Sequence, residues 1–247
     1  MSKTVAKAVH VLEELARSPR SLADLARELD VHGSTALRML QPLVEAGLIA
    51  KGSDGRYRLG LRLAEWGQQV LDDLDLRTAA RPHLVALAES ARATVHLSQL
   101  LDDQIVYVDK IEGAATIRTW SRIGRAVPLH TAAAAKAILA GLPPARRDRL
   151  LAGHDFTRYT ERTITDPRAF RGHLAEVARA GYGTDRAEFE PLVHCLGVAV
   201  PGPVDAAVSV TVVRAEPGSD EAALLAGLRD AVAAIAAELG HPRRGER

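Results

Sequence analysis

The sequence predicts an α+β protein, and three observations carry that expectation. Apolar residues recur three times at helical spacing before Gly47, two short β-prone runs then flank a glycine–aspartate turn, and strand-like and helix-like segments share the remainder. Val5, Ala8, Val9, Leu12, Leu15 and Ala16 give the first helix its apolar positions, and Ser18-Pro19-Arg20 ends it. Ser21 is placed to cap a second helix, with Asp24 reaching back toward the cap and Leu22, Leu25, Ala26 and Leu29 facing inward. Asp30-Val31-His32-Gly33 is a tight connection to a third helix. Its buried positions are expected at Ala36, Leu37, Leu40, Leu43 and Val44, and Gly47 is its stop. Leu48–Lys51 and Arg56–Leu59 then pair as a β-hairpin around Gly52-Ser53-Asp54-Gly55.

Three helices followed by a hairpin is the order of a winged helix-turn-helix, expected over residues 1–60, with the helix-turn-helix about 21–46 and the wing 48–59. A linker helix is expected over 61–77, and a second domain over 78–247. In that domain a helix is expected across Pro82–Ala91, strands over Thr94–Leu101, Gln104–Ile111 and Thr116–Ser121, and a helix over Thr131–Ala140. Another helix starts at Pro143-Pro144, and Asp166-Pro167 opens one that Gly181 closes. Cys195–Val200 and Ala206–Arg214 read as apolar strands, and Glu221–Leu239 as an Ala-rich helix. An antiparallel sheet with helices on it results.

Composition narrows the function classes. The one cysteine, Cys195, excludes an intramolecular disulfide, and no paired Cys/His spacing suggests a metal site, which fits a cytoplasmic protein without metal or cofactor. Residues 1–10 lack the apolar stretch of a signal peptide. The apolar runs near Ala132–Leu142 and Leu196–Val213 are broken by Lys136, Pro201, Pro203 and Asp205, so no membrane span is expected. Residues 1–62 hold ten Lys/Arg against seven Asp/Glu, whereas the rest is slightly acidic, a small bias in the direction DNA binding requires.

The second helix of such a pair enters the major groove of duplex DNA. That assigns Ser34, Thr35, Arg38 and Gln41 to bases or phosphates, and Lys51, Arg56 and Arg58 of the wing to phosphates or the minor groove. Ser34 also reads as a helix cap, and Tyr57 as packing between wing and helix rather than a base contact.

Ser21–Leu43, Asp54–Leu61, Val106–Gly113, Pro128-Leu129-His130-Thr131 with Lys136-Ala137, Gly181–Cys195 and Ala207–Thr211 form a set spread over nearly the whole chain, and together they resemble the IclR family of bacterial regulators. The resemblance implies a GAF-like α/β effector domain that binds a small molecule, often a carboxylate or an aromatic. It also implies homodimers or homotetramers on a palindromic operator, with repression the commoner mode. Matched to the family's pocket, the effector-binding residues are Ala133, Ala134, Asp185, Cys195, Ser209 and Thr211, with Thr119, Val127 and Val193 as apolar wall. Independently, Ser209 and Thr211 are two apart on a strand and share a face, and backbone N–H groups near Ala133 open a helix suited to an anion. The matched positions include no Lys or Arg, so an anionic ligand would be held by amides and hydroxyls. Cys195 reads equally as a small core residue, Asp185 as a turn or cap residue, and Ser209 and Thr211 as sheet-bonded hydroxyls.

The chain departs from the family pattern at Gly33 and Leu37, where a basic residue and a histidine are frequent. It departs again at Ala135 and Leu192, which replace frequent glycines near the presumed pocket. An enzyme with Cys195 as nucleophile and His130 or His194 as base is disfavoured, because His194 and Cys195 are adjacent on a strand and face opposite ways. A second domain that serves only assembly remains compatible with the sequence.

Overall fold

The computed structural model describes residues 3–113, 121–202, 204–213 and 221–240. The chain divides into two compact units, Met1–Asp73 and Leu74–Arg247.

In the first unit, α1 (Lys3–Arg17), α2 (Leu22–Glu28) and α3 (Gly33–Glu45) precede a hairpin of β1 (Ile49–Lys51) and β2 (Tyr57–Leu59). Ser21 and Asp24 form the expected reciprocal cap on α2, with Asp24 N–H donating to Ser21 Oγ at 3.1 Å and Ser21 N–H to Asp24 Oδ2 at 3.2 Å. Arg20 and Tyr57 exchange backbone hydrogen bonds, so the segment after α1 docks on the wing. Val11, Leu15, Leu25, Leu29, Leu40, Ile49 and Tyr57 make the core, which places Tyr57 in packing. Buried Glu14 is held there by Arg17 and by Arg20 Nη2 at 3.0 Å.

Two apolar faces differ from expectation. On α1 the core-facing residues are Val11, Glu14 and Leu15, while Val5 and Val9 are exposed. On α3 only Ala36 and Leu40 are buried, with Leu43 packed at the core's margin; Leu37 and Val44 are exposed. Leu37 and Val44 lie about 80° and 60° around the helix from the midline between the buried Ala36 and Leu40, toward the solvent arc, so helical spacing alone overstated the buried stripe.

The linker helix expected over 61–77 stops early. α4 spans Arg62–Asp72, Leu74 is extended, and α5 runs Asp75–Ala91 with Pro82 inside it. Asp72 and Asp73 meet the negative end of α4's dipole, whereas Asp75 meets the positive end of α5, so a new helix start is favoured there.

The second unit is a five-stranded antiparallel sheet in the order β4-β3-β7-β6-β5, built from β3 (Thr94–Leu101), β4 (Gln104–Ile111), β5 (Gly183–Arg186), β6 (Val193–Val200) and β7 (Ala206–Val213). Alternate residues divide between its faces. Val95, Leu97, Leu196, Val198, Val208 and Val210 pack with α5 and α9 (Glu221–Gly240) on one face. Leu100, Ile105 and Ala207 pack with α6 (Ala133–Gly141) and α8 (Pro167–Ala180) on the other, and α7 (Pro144–Leu151) adds Leu151 there. Strand β5 is polar and short, and it was not among the expected strands. The expected strand Thr116–Ser121, apart from Ser121, falls outside the described residues, as does Thr119.

Candidate functional site

Ser34, Leu37, Arg38, Gln41 and Glu45 lie within one arc of about 100° on α3, and all are exposed. His32, not Ser34, caps this helix: its Nδ1 accepts from Ser34 N–H at 3.4 Å and stands 2.9 Å from Ser34 Oγ. Thr35, half-buried, donates its N–H to His32 O at 2.9 Å. Gln41 Nε2 donates to Glu45 Oε1 at 3.0 Å across one exposed turn. Pro42, one residue on, has no N–H for the Arg38 carbonyl, yet the helix continues to Glu45. In the wing, Lys51 Nζ lies 5.6 Å over the Tyr57 ring, Arg56 Nη1 donates to Pro19 O at 3.3 Å, and Arg58 Nη2 reaches both oxygens of Asp54 at 3.0 and 2.9 Å.

The second unit holds a cavity on its α6-facing sheet surface, about 530 Å³ including the part open to solvent. Its floor is two neighbouring cross-strand rows. Asp185, Cys195 and Thr211 are register partners in one row, and Gly183, Gly197, Ser209 and His96 in the next. The glycines bring the helix down onto the sheet: a Cβ on Gly197 would stand 2.6 Å from the Ala133 carbonyl carbon, and one on Gly183 2.4 Å from the Ala133 oxygen. The start of α6, which no side chain among the described residues caps, therefore forms the cavity wall with Ala132, Ala133 and Ala134.

Seven of the residues expected at an effector pocket meet here: Ala133, Ala134, Asp185, Val193, Cys195, Ser209 and Thr211. Val127 is buried with α6 and α8 and borders a wider neighbouring cleft. Ala135 is fully buried in that same cluster, and the Leu192 side chain is exposed, so neither departure from glycine lines the cavity. Leu192 does adopt φ 69°, a left-handed conformation that glycine takes without strain. Sequence reasoning missed His96, Tyr107, Ser121, Pro128, Phe189 and Glu190, which complete much of the lining.

Burial dominates the electrostatics of the titratable groups that line the cavity. Burial pushes the Asp185 carboxyl up to about 7, against the opposing pull of Glu188 N–H, which donates to Asp185 Oδ1 at 2.7 Å. Burial pushes the Cys195 thiol up to about 12, and Cys195 Sγ lies 3.3 Å from Thr211 Oγ1. Such a thiol is a poor nucleophile. Burial, helped by Lys110, holds His96 down at about 3; its Nε2 lies 2.7 Å from Ser121 Oγ. Tyr107, 5.3 Å from His96 between ring centres, is raised chiefly by burial. No Lys or Arg lines the cavity among the described residues. Lys136 on α6 is fully buried and donates to Glu188 Oε1 and Oε2 at 2.6 and 2.7 Å and to Thr184 O at 2.7 Å. That bond set ties the segment carrying Phe189 and Glu190 to the helix whose start walls the cavity.

Among the described residues, no group of three or more His, Cys, Asp or Glu side chains could hold a metal, and no helix is long and apolar enough to cross a membrane.

Comparison with known proteins places both units. Residues 68–237 match the family "Bacterial transcriptional regulator IclR C-terminal", and residues 3–75 match the HVO_A0261 N-terminal domain. The chain is 34% identical over 199 residues to the HTH-type transcriptional regulator KdgR of Escherichia coli, covering 80% of this chain and 76% of that one. It is 31% identical over 247 residues to the HTH-type regulator XynR of the same organism, covering 97% and 98%. The Thermotoga maritima IclR crystal structure superposes with a TM-score of 0.81 at 30% identity, covering 96% of this chain and 99% of that one. An IclR homologue from Microbacterium hydrocarbonoxydans, complexed with 4-hydroxybenzoate, gives 0.79 at 26% identity over 96% and 98%. An α+β chain with an N-terminal DNA-binding unit and an IclR-type C-terminal domain, this protein belongs to the IclR family of bacterial transcriptional regulators.

Proposed function

We infer that the chain is a cytoplasmic repressor, without enzymatic activity, whose grip on a palindromic operator is altered by a small carboxylate or aromatic effector in the second unit. The observation that carries the effector reading is the cavity, where seven family-matched residues converge: Asp185, Cys195, Ser209 and Thr211 from two sheet rows, Val193 on β6, and Ala133 and Ala134 at the start of α6. Amide N–H groups there suit a carboxylate, Ser209 and Thr211 offer hydroxyls, and Pro128, Val193 and Phe189 suit a ring. The 4-hydroxybenzoate held by the Microbacterium homologue has this chemistry. In this reading α3 lies in the major groove, with Ser34, Thr35, Arg38 and Gln41 toward bases or phosphates and Lys51, Arg56 and Arg58 along the backbone. Val5 and Val9 on α1, with Trp66 and Val70 on α4, are exposed apolar residues suited to pairing two copies into the dimer that a palindrome requires.

Arg38→Ala is expected to weaken operator binding about tenfold or more, measured by fluorescence anisotropy. Unchanged binding to operator and to random duplex would mean that α3 is not the helix in the groove.

For the effector, 4-hydroxybenzoate and a panel of small acids are expected to raise the melting temperature. Ser209→Ala should weaken the active compound about 3–10-fold; a panel without any shift would favour a domain that serves assembly alone. An anion beside Asp185 favours the neutral carboxyl, so binding takes up a proton and affinity falls as pH rises through about 7. Titrations at pH 6 and pH 8 read this directly, and Asp185→Asn should flatten the difference.

A further inference from the structure

Leu37 is 47% exposed, although helical spacing places it among apolar positions of α3. Ala36 and Leu40 occupy the core side at 0% exposure, and Leu37 lies about 100° and 60° around the helix from them. Its neighbours on the open arc are Ser34, Arg38 and Gln41, at positions i−3, i+1 and i+4, each able to exchange hydrogen bonds with a base edge or phosphate. Leucine has neither donor nor acceptor. Of the groups that the four base pairs present in the major groove, the thymine C5-methyl is the largest apolar one and the best match; against a donor or acceptor the side chain would strip water without replacing the bond.

We propose that Leu37 is a specificity residue that packs on a thymine methyl group in each operator half-site. The proposal rests on the reading that α3 enters the major groove. The leucine then adds a preference for thymine beside whatever Arg38 and Ser34 hydrogen-bond, and it does so by closing apolar surface rather than by charge.

The test uses the full chain and a duplex selected by it from a randomised pool. Each thymine is replaced singly by deoxyuridine, which removes the methyl group alone, and affinities are measured for the unsubstituted protein and for Leu37→Ala. At one thymine per half-site the unsubstituted protein should lose about fourfold, the worth of one buried methyl group, while Leu37→Ala is weaker throughout and indifferent to that replacement. The melting temperature of Leu37→Ala should stay unchanged, as the side chain is exposed.

The proposal is overturned if no replacement discriminates between the two proteins, or if Leu37→Ala changes the oligomeric state in sedimentation while keeping the thymine preference. The latter result would make Leu37 a contact between copies of the chain. Arg38→Ala, run in parallel, separates the two levels. If it leaves binding intact, the placement of α3 itself fails. If it weakens binding while Leu37 shows no coupling to a methyl group, only the present proposal fails.

Discussion

Lys136→Ala is expected to destabilise the second unit by about 3–5 kcal/mol, measured as the shift of its transition in urea denaturation of the full chain. Lys136 is 0% exposed, and its ammonium places all three of its protons, two on Glu188 and one on the Thr184 carbonyl. Burial works against the charged form, and Glu188 is the largest influence restoring it. Removing the lysine leaves the Glu188 carboxylate buried without its counter-charge, which costs far more than the pair itself contributes. Replacing both, as Lys136→Met with Glu188→Leu, should therefore recover most of the lost stability. If the single variant were as stable as the parent, the pair would not be sealed from solvent as described. Effector binding should suffer too, because Glu188 precedes Phe189 and Glu190 in the cavity wall.

Gly197→Ala is expected to cost about 1–3 kcal/mol and to abolish the thermal response to the effector. The added methyl would meet the backbone of Ala133 and Ala134 at 2.6 to 2.7 Å, so neither a rotamer change nor a side-chain shift can relieve the clash. The helix start must lift off the sheet, and the amide groups facing the cavity move with it. Gly172→Ala supplies the comparison. Gly172 lies on α8 with open space where the methyl would go, so that variant should be stabilised by about 0.5–1 kcal/mol through helix propensity. Equal losses in both variants would show that the effect at Gly197 is not steric.

The local rules of the sequence were legible where one short segment decided the outcome. Ser21 with Asp24, Asp166 with Pro167, and the stops at Gly47 and Gly181 each act within a few residues. The seven convergent cavity residues were legible because the resemblance supplied positions that spacing alone could not. What stayed hidden depends on long-range pairing. His96 and Tyr107 reach the cavity through the β3–β7 register and through a β3–β4 pairing that shifts at Leu97/Ser98, and Glu188 meets Lys136 from 52 residues away. Strand β5 was missed because Gly183-Thr184-Asp185-Arg186 has no apolar alternation, being recruited by β6 rather than by its own burial. The exposed Leu37 and Val5 were missed for the opposite reason. Periodicity registers an apolar residue whether it faces the chain's own core or another molecule.

The Arg58–Asp54 pair in the wing bears on how steeply DNA affinity should depend on salt. Each phosphate neutralised by a free cation releases condensed counterions, which gives a slope near −0.9 per contact in log affinity against log salt. Under the proposed wing contact, Arg58 would enter that exchange already partnered by Asp54 at 2.9 Å. When it turns to a phosphate it leaves a carboxylate behind in the same field, and one charge of the opposite sign must be rehydrated. Counting the lysines and arginines of α3 and the wing will therefore overstate the slope. Asp54→Asn is the change that would bring the count and the slope together.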